Sequence, residues 1–187
     1  GGTIVDREFT NDKAVDFKAI LTKLKSKNPD LIYYGGADSQ AAPMVKQMKA
    51  LGVKAPLMGG EMVRTPTFLQ VAGDAANGTV ASLAGLPLEE MPGGKDYTEK
   101  YKKRFNEDVQ TYSPYAYDGA MAMFDAMKKA NSTDPAKYLP VLAKTNMSAV
   151  TAKDLAYDSK GDLKNGGITL YKVVDGKWTT LQSVGGK

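Results

Sequence analysis

The sequence predicts an α/β fold with parallel strands, and two observations carry that prediction. Two short apolar strands each end in a glycine pair, and the segment joining them has the pattern of one amphipathic helix. The first strand reads Asp30-Leu31-Ile32-Tyr33-Tyr34 before Gly35-Gly36-Ala37-Asp38, and the second Ala55-Pro56-Leu57-Met58 before Gly59-Gly60-Glu61. Between them Met44, Val45, Met48 and Leu51 fall at helical spacing, and Gly52 supplies the stop expected at a helix C-terminus. Open parallel sheets bind small molecules just beyond the carboxyl ends of their strands, where backbone approaches closely if side chains are absent. Glu61 is therefore expected at such an edge, although its residue type alone reads as an exposed loop carboxylate. Asp38 and Ser39 both suit a helix N-cap, and Ser39 is the expected cap.

The remaining elements follow in order. Thr3-Ile4-Val5-Asp6-Arg7-Glu8-Phe9 reads as an edge-like strand, followed by a helix with Val15, Phe17, Ile20, Leu21 and Leu24 on its apolar side. Tyr97, Tyr101 and Phe105 recur every four residues, which predicts a helix with its aromatics inward and Lys100 to Arg104 on a solvated face. From Tyr115 to Lys129 runs the longest apolar helical pattern. Ala116, Ala120, Met121, Met123, Phe124 and Met127 cover much of its circumference, so a buried helix with core-filling methionines is expected. Pro114 suits the entry to this helix and puts Tyr115 near its positive end. On the residues alone, Tyr115 packs its ring and satisfies its hydroxyl on a backbone carbonyl. Asn131 to Pro135 is a helix stop and restart before a short helix over 136–144. The tail reads as strands at 156–158, 168–174 and 177–181, with Asp175-Gly176 as a hairpin turn. Asp158 and Asp162 lack the alternating oxygen ligands of a calcium loop and read as a turn.

Composition narrows the chemistry. In 187 residues, 42% are hydrophobic, enough for a real core. Cysteine and histidine are both absent. That removes thiolate metal sites, disulfides, cysteine nucleophiles and histidine-bearing triads, and argues against an enzyme. The 25 basic and 21 acidic residues are interspersed, so the net charge of +4 is no concentrated field and argues against nucleic acid as a partner. No apolar run approaches the roughly 20 residues that cross a bilayer. A phosphate-cradling loop, a dinucleotide fingerprint and a nucleophile elbow are all missing from the sequence.

An ordered set of motifs carries a resemblance along the whole chain. Pro29-Asp30-Leu31-Ile32-Tyr33-Tyr34-Gly35-Gly36, Met44-Val45-Lys46-Gln47-Met48, Leu57-Met58-Gly59-Gly60-Glu61, Ala72-Gly73-Asp74-Ala75-Ala76-Asn77-Gly78, Pro114-Tyr115-Ala116-Tyr117-Asp118 and Asp158-Ser159-Lys160-Gly161-Asp162-Leu163 together resemble the periplasmic branched-chain amino-acid-binding proteins of ABC importers. The resemblance implies a type I periplasmic binding fold, with two doubly wound Rossmann-like lobes joined by hinge strands, present here as an N-terminally truncated part. It implies that residues 1–83 and 168–187 form the second lobe, lacking its first strand-helix pair, and that 84–167 belong to the first. Ser82-Leu83-Ala84-Gly85 and Asn165-Gly166-Gly167 are the expected hinge segments.

The same resemblance implies a function: capture of an amino acid between closing lobes, without metal or cofactor. Glu61 would accept from the ligand ammonium, and Tyr115 would form an aromatic wall beside the ligand side chain. Ala37 stands where such binders often carry a tyrosine, which implies a wider or wetter pocket. The implied partners are the ligand, a membrane permease and the N-terminal portion of the same protein, and the implied compartment is the periplasm. Two other readings stay open at this stage: a ligand-sensing domain of the same architecture, and a flavodoxin-like enzyme.

Overall fold

The computed structural model describes residues 1–186. In chain order the elements are α1 (Lys18–Ser26), β1 (Ile32–Tyr34), α2 (Asp38–Ala50), β2 (Leu57–Gly59), α3 (Pro66–Ala72), β3 (Val80–Ala84), α4 (Gly94–Phe105), α5 (Ser113–Ala130), α6 (Pro135–Leu142), β4 (Asn146–Met147), β5 (Leu155–Ala156), β6 (Gly167–Val174) and β7 (Lys177–Gly185). Two compact units result, one of Gly1–Leu83 with Thr169–Gln182 and one of Ala84–Ile168 with Ser183–Lys187.

In the first unit the predicted β-α-β pattern forms. β1, β2 and β3 run parallel, with Ile32 opposite Leu57, Tyr34 opposite Gly59, and Gly59 opposite Ala81. The full sheet order is β1-β2-β3-β6-β7. β6 turns into β7 through Asp175-Gly176, whose φ values of 50° and 72° are the left-handed pair a two-residue hairpin with native twist demands. Apolar residues of α1, α2, α3 and the strands make one core around Leu21, Met44, Val45, Met48, Leu57 and Phe68. Trp178 of β7 packs its ring 5.7 Å from that of Phe68.

Several expectations need correction here. Residues 3–9 form no strand. A strand needs a neighbour for its backbone groups, and this segment gains none; instead Asp6 and Glu8 pair with Lys23 of α1, leaving Ile4 and Phe9 exposed. Val15 precedes α1 and is exposed, whereas Phe17 is its buried N-cap. That entry is held from a distance, because the Gln47 side-chain amide of α2 accepts from Phe17 N at 2.7 Å and donates to Val15 O at 2.8 Å. Neither Asp38 nor Ser39 caps α2. Its N-cap is Ala37, without a side-chain bond. Asp38 accepts from the Thr65 hydroxyl at 2.6 Å, a tertiary bond, and the Ser39 hydroxyl donates to the adjacent Gln40 side chain, so both side chains are used elsewhere than in the capping bond.

In the second unit, α4 and α5 both end on left-handed asparagines, Asn106 and Asn131, a residue type that tolerates this conformation. α4 carries its predicted aromatics as a ladder: Tyr97, Tyr101 and Phe105 have ring centroids 5.8 and 4.8 Å apart, and Tyr97 also meets Tyr117 of α5 at 5.4 Å. The inward expectation holds only in part, since Phe105 is exposed. α6 is capped by Asp134, which accepts from Ala136 N at 3.0 Å. β4 and β5 pair antiparallel, and Asp158 closes the following turn by accepting from Lys160 N and Asp162 N.

α5 departs most from expectation. Its buried positions are Pro114, Asp118, Ala122 and Ala126, whereas Tyr117, Met121, Met123 and Phe124 are exposed, Phe124 at 61%. The helix is apolar nearly all round, and a pattern of that kind does not say which stripe packs. Here the small residues face inward because they allow close approach, and Asp118 among them is fully used. Its carboxylate accepts from Val150 N at 2.9 Å, Thr151 N at 2.8 Å and the Thr151 hydroxyl at 2.7 Å. The expectation that the methionines fill core therefore fails for Met121 and Met123.

Candidate functional site

The parallel register sets the geometry of the candidate site. Because Tyr34 lies opposite Gly59, the carboxyl ends of β1 and β2 are level, and the chain leaves both at one edge of the sheet. Ala37 follows β1 at the start of α2, half-buried. Glu61 follows β2 as the first residue of a single 3-10 turn, Glu61–Val63, entered through Gly60. Both predicted residues of this unit thus stand at the same edge.

The glycines at this edge serve different needs. A Cβ on Gly59 would lie 2.5 Å from the Val63 side chain, so the tight turn that carries Glu61 back over the strand end requires glycine there. At Gly36 a Cβ would overlap the Tyr34 hydroxyl, whose own ring folds over the gap. Burial pushes that hydroxyl up from the ordinary tyrosine pKa. At Gly60 a Cβ would meet nothing.

Glu61 is exposed, and its carboxylate makes no hydrogen bond or ion pair among the described residues. Three residues on stands Arg64, which the sequence reading passed over. Its guanidinium lies over the ring of Tyr171 on β6, 3.8 Å from the centroid, and its Nε is buried without a hydrogen-bond partner. The signal for it was the spacing Glu61-x-x-Arg64 after a glycine pair, since residues i and i+3 of a 3-10 turn eclipse. The turn is held firmly. Thr65 caps α3 by accepting from Phe68 N at 2.9 Å, donates to Asp38 at 2.6 Å, and accepts from the Trp178 indole through its carbonyl at 3.4 Å.

Tyr115 belongs to the second unit. It lies in the first turn of α5, and its hydroxyl donates to Ala84 O at 2.7 Å. Next to that carbonyl, Gly85 adopts φ 87°, and a Cβ there would overlap the same hydroxyl. The ring is half-buried, so its hydroxyl is tied to backbone while part of the ring remains open. Among the described residues no cluster of three His, Cys, Asp or Glu side chains could hold a metal, and no helix is long and apolar enough to cross a membrane.

Residues 1–177 match a family described as periplasmic binding protein. The chain is 28% identical over 178 residues to a Leu/Ile/Val-binding protein homolog of Brucella abortus, covering 94% of this chain and 47% of that protein. It is 30% identical over 157 residues to a leucine-, isoleucine-, valine-, threonine- and alanine-binding protein of Pseudomonas aeruginosa, covering 84% of this chain and 42% of that one. A leucine-binding protein of Thermotoga maritima has the same fold, with a TM-score of 0.86 at 24% identity over 96% of this chain and 51% of that one. The chain spans about half the length of the curated relatives it matches.

Proposed function

We propose, on the premise that this chain belongs to the periplasmic binding protein family and has the type I fold of that family, that it is part of the substrate-binding component of an ABC importer. It captures an amino acid between two closing lobes in the periplasm and delivers it to a membrane permease. Residues 1–83 and 169–182 act as one lobe, in place of the expected 1–83 and 168–187, and residues 84–168 contribute to the other. Small residues at 82–85 and 165–167 absorb the backbone rotation of closure. The rest of the parent protein supplies the remainder of the first lobe.

The observation that carries this reading is the Glu61 carboxylate, exposed and without a partner at the carboxyl edge of a parallel sheet. A carboxylate there accepts a charge-assisted hydrogen bond from the ligand ammonium, worth about 1.5 to 3 kcal/mol net. A neutral solute cannot reproduce it. Tyr115 offers the open part of its ring to the ligand side chain, while its hydroxyl bond to Ala84 O holds the ring in place. Ala37 leaves space that a larger side chain would fill. Binding proteins among the relatives, named for leucine, isoleucine, valine, threonine or alanine, support both the solute class and a role without catalysis.

In the full-length protein, Glu61→Gln should weaken binding of L-leucine, or of whichever amino acid binds tightest, at least about tenfold, or about 1.4 kcal/mol, by titration calorimetry. Unchanged affinity would remove Glu61 from the site and the proposal's chemical basis with it.

A further inference from the structure

Arg64 presents an unsolved electrostatic problem that the amino-acid-binding reading leaves open. A guanidinium carries five donors and no acceptor, and a partly desolvated one is costly when nothing accepts from it. Arg64 makes no ion pair and no side-chain hydrogen bond among the described residues. Its Nε is buried and unpaired, and the ring of Tyr171 supports its flat face. Glu61 sits three residues away on the same short turn, yet the two do not pair. The acid stays exposed, whereas the base is drawn onto the tyrosine.

Such an arrangement is preorganised. Stacking fixes the plane of the guanidinium, and the bonds of Thr65 to Asp38, Phe68 and Trp178 fix the backbone beside it. Its terminal nitrogens are left as a fork without an acceptor, and a planar fork matches a carboxylate through two parallel hydrogen bonds. Arg64 ends the same short turn that Glu61 opens, after the carboxyl end of β2.

We propose that Arg64 is a specificity-determining residue that binds a second carboxylate on the solute, so that the ligand class is an amino acid with an acidic side chain. This rests on the reading of Glu61 as the ammonium acceptor. Glu61 and Arg64 then form a plus-and-minus pair on one turn, complementary to an ammonium and a side-chain carboxylate of one small molecule. The small Ala37 side chain leaves room for the longer, hydrated group. A site built to satisfy a charge discriminates against a ligand that lacks it, because the guanidinium then loses its charge-assisted partner while its buried Nε stays unmet.

Titration calorimetry on the full-length protein with L-glutamate and with L-leucine tests this, using the unaltered protein, Arg64→Gln and Arg64→Lys, each checked for an unchanged unfolding midpoint. L-glutamate should bind the unaltered protein more tightly than L-leucine. Arg64→Gln should weaken glutamate about tenfold or more while leaving leucine within about twofold. Arg64→Lys, which keeps charge but not the fork, should fall between. Raised salt should weaken glutamate more than leucine. Leucine binding with a glutamate-to-leucine ratio that Arg64→Gln does not move would overturn the assignment of Arg64 and leave amino-acid capture standing. If neither amino acid binds the folded protein, the capture reading fails and this inference fails with it.

Discussion

The two units of the chain bury apolar residues to different extents. The first unit gathers Phe17, Leu21, Leu57, Val63, Phe68 and Val173 into one core in which each is at most 1% exposed. The second unit's buried apolar side chains are few, among them Ala122, Ala126, Met91 and Leu155, while Tyr112, Tyr117, Met121 and Phe124 are exposed. What the second unit buries in addition is a carboxylate. Asp118, 3% exposed, satisfies two backbone amides and a hydroxyl on the loop at 150–151. The difference teaches that the first unit is held chiefly by removing large apolar side chains from water, whereas the second adds a directional network around a buried carboxylate.

Three substitutions separate these modes, in falling order of effect. Phe68→Ala should cost about 3 to 5 kcal/mol, because the ring fills a closed core and leaves a cavity beside Trp178. Chemical denaturation would measure it, and hydrogen exchange should show the loss concentrated in α2, α3 and β1. A cost below about 1 kcal/mol would mean that the first unit is not held by that core. Asp118→Ala should cost about 2 to 3 kcal/mol, since it strands the part-buried amides of Val150 and Thr151 that a buried carboxylate now satisfies. Here the exchange protection lost should lie in the second unit, and loss spread evenly over both units would erase the contrast. Phe124→Ser should change stability by no more than about 0.5 kcal/mol, because the ring is already exposed, while reducing binding of a hydrophobic dye. A large cost there would break the comparison from the other side, by showing that the face is covered in solution. The ligand-binding effects of Glu61→Gln and Arg64→Gln test the site separately from these cores.

Much of the first unit was legible from local signals. Helical spacing in Met44, Val45 and Met48, two strands ending in glycine pairs, and an Asp-Gly turn between extended runs all formed where they were expected. Each signal is local, set by backbone sterics and the period of one element. Glu61 and Ala37 came to one edge for the same reason, since the chain reversal after each strand is written in neighbouring residues. The helix restart after Asn131 was legible, and Asp134 supplies its cap, whereas the Ser39 hydroxyl turns to the neighbouring Gln40 side chain and does not cap α2.

By itself, then, the sequence determined the α/β class, the parallel β-α-β unit, the hairpin and the edge at which Glu61 stands, because periodicity and turn stereochemistry act over a few residues. Only the tertiary structure decided which stripe of α5 faces inward, that Asp118 is a buried hub, that the Tyr115 hydroxyl is tied to Ala84, and that Arg64 rests on Tyr171 without an anion. The last three depend on partners 31 to 107 positions away in the chain. Long-range pairing is chosen by shape and by the cost of leaving buried polar groups unmet, and neither is expressed in the spacing of residues along one element.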